Sequence, residues 1–292
     1  MKRITALAAT ICCMVSGLQA QELPQDEISV YVLGGFTQLR HGSAFTSESK
    51  LGGGGGVSYA SPISRHWDMI GGVELFYYSG TLKADTLSGS AFKMYNDGSR
   101  IEPWYYNSKI KGYTEQQHIT YLQVPLMVRY RVRVFGNHKW YAAGGIKAGY
   151  SVITKYSNEI AQLSTSAYFP DTHQEFLPEM PNHGIGNFAN QSSKGSMAFK
   201  TGNLSVALET GLRWSLSSKT SLYTGIFFDY GVWETGPRQS DTNLPLVSHD
   251  DTNDQLILNS ILSSENQFTG TTYVDKLGVL AFGLKINLAF NR

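Results

Sequence analysis

Hydrolysis or acyl transfer requires a histidine within reach of a carboxylate and usually a hydroxyl. The seven histidines of this chain are scattered. His66 and His138 fall in short turns, and His41, with Ser43 close by, starts a loop. His118 ends a strand on the side that faces away from a barrel interior. No spacing reproduces a catalytic triad, and turn, loop and interface histidines account for all of these. Metal ligation is suggested only by "DTHQEFLPEMPNH", which holds Asp171, His173, Glu175, Glu179 and His183. Pro178 and Pro181 interrupt any helix there, so no fixed face presents the ligands together. A solvated loop is expected, with neither metal nor cofactor. The run Gly52–Gly56 has the glycines of a phosphate loop, but "VSYAS" follows instead of a helix opening on Lys-Ser/Thr. It reads as a strand without bulk, where a barrel bends or a neighbour comes close.

The charges are more ordered. In "YLQVPLMVRYRVRV", Tyr121 to Val134, Arg129, Arg131 and Arg133 alternate with Tyr130, Val132 and Val134. A strand sends successive side chains to opposite faces, so the even positions form an unbroken apolar face and the odd ones a cationic face. Such a strand lies between something long and apolar and something that tolerates charge.

The elements that position it are strands throughout. Residues 1–20, "MKRITALAATICCMVSGLQA", have the basic start, apolar run and small terminal residue of a secretory signal peptide. Cys12 and Cys13 leave with it, which excludes a disulfide framework, a thiolate nucleophile and cysteine-bound zinc. Ile11 before Cys12 argues against lipidation. The formal charge of +1 becomes −1 once Lys2 and Arg3 are removed, so no nucleic-acid partner is expected. Residues 21–292 then form one β domain without an apolar helix long enough to span a bilayer. Eight period-2 segments are expected at Ile28–Leu39, Gly53–Ser61, Trp67–Gly80, Ile119–Val134, Trp140–Tyr156, Asn203–Leu216, Ser221–Trp233 and Lys276–Phe290. Links after the second, fourth and sixth are short. Those after the third, fifth and seventh are long, spanning roughly 81–118, 157–202 and 234–275. The expected fold is an all-β, eight-stranded antiparallel up-and-down transmembrane β-barrel with short periplasmic turns and long extracellular loops.

A soluble lipocalin-type barrel shares the period with its faces exchanged. Residue size and aromatic placement favour the membrane arrangement. Gly145, Gly149, Gly211, Gly225, Gly231 and Gly283 lie opposite the aliphatic face, as the crowded concave side of a small barrel requires. That face also carries Glu74, Glu209 and Asp229 against Arg129, Arg131, Arg133, Lys147, Arg213 and Lys285, expected to pair in a lumen charge network. On the apolar face, Trp67, Tyr130, Trp140, Trp214 and Phe290 gather at the short-turn end as an aromatic belt, with Tyr77, Tyr156 and Tyr230 at the other. In the first of these long links, 81–118, Asn96-Asp97-Gly98 signals a hairpin turn, which would carry strands three and four above the membrane. Trp104, Tyr105 and Tyr106 beyond it are expected to pack among the loops. In the last link, Asp254 would cap a short amphipathic helix of Leu256, Ile257, Leu258, Ile261 and Leu262. That helix would fold over the barrel mouth or rest on the membrane surface.

"YLQVPLMVRY" and the following "WYAAGGIKAGYSV" resemble the strand signature of the PorT-like outer-membrane β-barrel family of Bacteroidota. The specific motif covers Tyr121 to about Val152. The chain departs from many outer-membrane barrels in ending on Asn291 and Arg292 after Phe290. The resemblance implies the fold and an outer-membrane location, and leaves the role open. The expectation is a monomer with a closed, polar lumen, bounded by outer-membrane lipid and open to protein partners through its long loops. Its role would be structural or interactive: envelope anchoring, adhesion or membership of a secretion assembly. The alternatives are a lipid-modifying outer-membrane enzyme or, with the faces reversed, a secreted lipocalin-like binder of a hydrophobic ligand.

Overall fold

The computed structural model describes residues 25–42, 45–96, 101–177, 180–197, 201–233, 244–250 and 252–292. The expected signal peptide, Ser43, Glu179 and the Asp97-Gly98 turn lie outside these residues. The first strands are β1 (Glu27–His41), β2 (Thr46–Pro62), β3 (Trp67–Asn96), β4 (Ile101–Phe135) and β5 (His138–Phe169). Then come β6 (Gln174–Phe176), β7 (Gly186–Ser196), β8 (Gly202–Ser215) and β9 (Thr220–Trp233). The chain ends with β10 (Leu244–Pro245), β11 (Val247–Asp250), β12 (Gln255–Leu258), β13 (Ser264–Asn266), β14 (Thr271–Thr272) and β15 (Leu277–Asn291).

Eight of these close a ring in the order β1, β2, β3, β4, β5, β8, β9, β15 and back to β1, each pair antiparallel. They coincide with the eight expected segments, and closure leaves no unpaired edge in the wall. The registers fix the barrel's geometry. A hydrogen-bonded row runs from Ile28 through Tyr59, Gly71, Leu126, Ile146, Val206, Tyr230 and Leu280. It returns to β1 at Gln38, ten residues above its start. Eight strands with that stagger tilt by about 40° and leave an interior that side chains can fill.

Local chemistry explains the departures from ideal pairing. Pro125 has no N–H to give, and the β3–β4 ladder skips it, resuming at Glu74–Gln123 in unchanged register. Gly35 and Gly283 sit directly opposite each other, and a Cβ on either would strike the other strand's backbone. The run Gly52–Gly56 lies in β2 beside a register shift between Ser49 and Gly53, with no phosphate-loop geometry.

The expected extension of strands three and four is present: β3 and β4 continue as one ladder to the pair Asn96–Ile101, so most of 81–118 is strand. Other expectations about the links are corrected. Much of 157–202 is also strand: β5 runs to Phe169 and pairs with β4, then with β6 and β7. Beyond the closed ring both faces of these strands carry polar residues, which masks the period-2 alternation in the sequence. The expected Asp254-capped helix is a hairpin of β11 and β12, with Asp254 at φ 51° in its turn. Ser260 is the capping residue instead: its hydroxyl accepts from the Leu262 N–H (3.2 Å) at a single 3-10 turn, Ile261–Ser263. Ile261 and Leu262 are fully buried in a core with Leu39, Tyr78, Leu82, Ile110, Tyr113 and Ile119. The segment thus folds into the barrel mouth. Tyr156 also departs from expectation. An extra residue between Ser151 and Ile153 in β5 flips the faces above it, so Tyr156 turns inward and its hydroxyl donates to the Leu258 carbonyl (3.1 Å).

Candidate functional site: a filled interior and its extracellular mouth

The alternating arginines occupy the lower end of the interior. Arg129 and Arg131 are two residues apart on one strand face, so both guanidinium groups reach the same two carboxylates. Arg129 Nε donates to Asp68 Oδ2 (2.9 Å) and its Nη2 to Glu27 Oε2 (2.6 Å). Arg131 Nη1 donates to Glu27 Oε1 (2.8 Å) and its Nη2 to Asp68 Oδ1 (2.5 Å). Each carboxylate bridges both arginines, all four side chains are buried, and Arg213 Nη2 adds a third cation 3.2 Å from Glu27. The Tyr223 hydroxyl donates to Glu27 Oε2 (2.8 Å), and its ring lies under Arg129 at 4.6 Å. Arg133 does not join them. It lies beyond the rim, exposed near the Gly136 turn, because the strand outruns the packed interior.

Further up, Lys147 Nζ donates to Glu74 Oε1 (3.0 Å) and Asp229 Oδ2 (2.8 Å), joining β5 to β3 and β9 across the lumen. Lys285 Nζ donates to Glu209 Oε1 (2.5 Å) and sits 4.0 Å from the Tyr31 ring. Glu27 and Asp68 complete the ion pairs, and sequence reasoning missed both. Asp68 shares the parity of Glu74 on β3, which was the available signal. Glu27 sits one residue before the first expected strand.

Outside, the wall is apolar, with Val32 60% and Leu284 66% exposed. The row climbs ten residues in a circuit of eight strands, so each step to the next strand raises the level by about one and a quarter residues. With that correction Trp67, Tyr130, Trp140, Trp214 and Phe290 fall within about two residue steps of one level. Phe36, Tyr77, Tyr150 and Tyr230, all exposed, stand about nine steps above. At this tilt nine steps span roughly 23 Å, close to the height of an outer-membrane apolar band.

The mouth above that band is organised around Glu115. Its carboxylate is buried and accepts four donors: Tyr113 OH (2.5 Å), Gln117 Nε2 (2.8 Å), Ser260 Oγ (2.7 Å) and the Ile261 N–H (3.0 Å). Burial pushes its carboxyl above the usual range, while the donors oppose that shift. Tyr156 and Asn158 hold the same strap through the carbonyls of Leu258 and Asn259. Gln117 presents its carbonyl oxygen to His41 Nε2 (2.7 Å), so that nitrogen carries the proton and Nδ1 accepts from Ser47 Oγ (3.0 Å). Burial pulls His41 down to about 4 despite the Gln117 bond.

The other sequence candidates are dispersed. His118 stacks on Tyr77 at the wall and bonds its hydroxyl and that of Ser79. His173 lies 3.5 Å from the Tyr168 hydroxyl, and Glu175 accepts from Ser166 (2.6 Å). His183 sits in a 3-10 turn and Asp171 is exposed. Among the described residues no three metal-ligating side chains converge. Trp104 stacks on Phe169, and Tyr105 packs edge-on against Phe92 and Phe268.

The structure is similar to those of two known proteins. Neisserial surface protein A, NspA, has 8% identity and a TM-score of 0.32, with 91% of this chain and 97% of that chain covered. Ail, the attachment invasion locus protein of Yersinia pestis, in complex with the heparin analogue sucrose octasulfate, has 9% identity and a TM-score of 0.29, with 91% and 99% covered. No curated protein sequence matches the chain. The family model for the outer membrane protein beta-barrel domain matches residues 19–177, more than half of the chain and five complete wall strands, β1 to β5. An apolar-walled ring of eight antiparallel strands and this match lead to one conclusion: the chain belongs to the outer membrane protein β-barrel domain family.

Proposed function

We propose that this protein is a non-conducting outer-membrane barrel with a structural or interaction role, acting through its extracellular sheet and strap. The carrying observation is that buried ion pairs cross the lumen at successive levels, Glu27–Arg131 below and Glu74–Lys147–Asp229 above. A cavity between Tyr31, Tyr141, Tyr223 and Lys285 is only about 20 Å³, room for roughly one water. Solutes have no path through such an interior. Residues 1–20 serve as the export signal and 21–292 as the barrel. The PorT-like assignment rests on the Tyr121–Val152 motif, which lies inside the matched range. Contacts with partners, in adhesion, anchoring or a secretion assembly, fall to β3, β4, β5 and β7 above the membrane. Phe92 of β3 is exposed there, as are Phe176 of β6 and Phe268 of the link between β13 and β14, which pack beside β5 and β4.

Membrane fractionation with protease treatment of intact cells tests this reading. The protein should fractionate with the outer membrane, migrate differently on gels before and after boiling, and be cut from outside only in its extracellular segments. A soluble periplasmic protein would overturn it.

A further inference from the structure

We propose that the cations immediately above the outer aromatic belt, Lys50, Lys155 and Arg40, bind phosphate groups of anionic lipids in the outer leaflet. The proposal rests on the outer-membrane reading above and names the lipid chemistry the wall selects. With the stagger taken into account, Lys50 stands one to two residue steps above the belt of Phe36, Tyr77, Tyr150 and Tyr230. Arg40 and Lys155 stand about four steps above it, so all three lie within roughly 10 Å of the apolar edge. That is the depth of head-group phosphates, where a long cationic side chain lays its stem on the apolar wall and its charge among the head groups.

Lys50 and Lys155 are exposed, and no carboxylate pairs with either among the described residues. The neighbouring Glu48 lies 2.6 Å from Lys83. Arg40 donates to the Tyr230 hydroxyl (2.7 Å) and the Gly231 carbonyl (3.0 Å) and stacks on the Tyr230 ring at 4.2 Å, which fixes it against the wall. The three cations stand on β1, β2 and β5 and do not converge on one pocket. A free anion needs convergent donors, whereas a leaflet of lipids offers each cation its own head group.

The test uses the full protein folded in dodecyl maltoside micelles and bisphosphorylated lipid A, with lipid retention read by native mass spectrometry. Wild type should retain this lipid and lose it on dephosphorylation of the lipid. Each lysine removed should weaken retention about fivefold, so Lys50→Gln with Lys155→Gln falls roughly 25-fold. Lys109→Gln with Lys111→Gln, the same charge loss higher on the exposed sheet, should match wild type. Equal retention of phosphorylated and dephosphorylated lipid, or by the Lys50/Lys155 variant, would overturn the proposal, as would full displacement by inorganic phosphate. Heat-modifiable gel migration shows in each case that the barrel is folded. A chain soluble without detergent fails the membrane reading itself, which is a separate result.

Discussion

The interior is filled differently at its two ends. Within the membrane band, charges from seven of the eight wall strands meet in pairs, and each carboxylate has a cation within about a hydrogen bond's length. Above the band, an apolar core of Tyr78, Leu82, Ile110 and Tyr113 surrounds Glu115, whose four hydrogen-bond donors are all uncharged. The lower region is made by strands alone, and its pairing follows from register and parity. The upper region is made by strands plus a returning strap, and two of the four donors to its key carboxylate, Ser260 and Ile261, lie 145 and 146 residues away in sequence. Ion pairs tie a closed wall together across its diameter, whereas neutral donors fasten a segment that entered from outside. The lower half is therefore expected to fail as a unit and the upper half to open locally.

The largest effect should come from Lys147→Met, which leaves Glu74 and Asp229 buried without their cation. A loss of about 3–5 kcal/mol is expected in urea unfolding followed by gel mobility, and the triple change with Glu74→Gln and Asp229→Asn should recover most of it. A single-variant loss under 1 kcal/mol would remove the distinction between the two halves. Next, Glu115→Ala leaves four donors without their acceptor. It should cost about 1–3 kcal/mol and expose the strap around Ser260 to protease while the folded-barrel gel band persists. Loss of that band would mean that the strap and the wall unfold together.

A graded effect follows from His41. Its folded value of about 4 lies below the ordinary value of about 6.5, so its contribution is present above pH 6.5 and is lost as pH falls toward 4. Hydrogen exchange around His41 and Gln117 should quicken over that window, with no matching change around Arg129. His41→Gln should flatten the dependence. The smallest effect belongs to Arg133→Ala, expected within about 0.5 kcal/mol of wild type, because Arg133 is exposed outside the cluster. Arg129→Ala alongside it should cost several kcal/mol.

The wall was legible because period-2 alternation and residue size both reflect a narrow closed barrel. Gly283, Lys147 and Arg129 declare the inner face by type, and Val32 and Leu284 the outer. Arg133 was grouped with Arg129 and Arg131 because parity reports a face but not where the packed interior ends. Tyr156 was misplaced because one extra residue in β5 reverses parity without any local signal. The role of Glu115 and the hairpin of β11 and β12 depend on contacts between distant segments. In "DQLILNSIL" the apolar spacing is compatible with helix and strand alike, and the barrel mouth decides between them.

Ion conductance in planar lipid bilayers tests the central claim most directly, with insertion of the folded protein confirmed by its unboiled gel mobility. The account predicts no stepwise conductance from inserted wild-type protein, because the Glu74–Lys147–Asp229 and Glu27–Arg131 pairs fill the lumen. Reproducible conductance steps of a single size would contradict it and show a continuous aqueous path through the barrel.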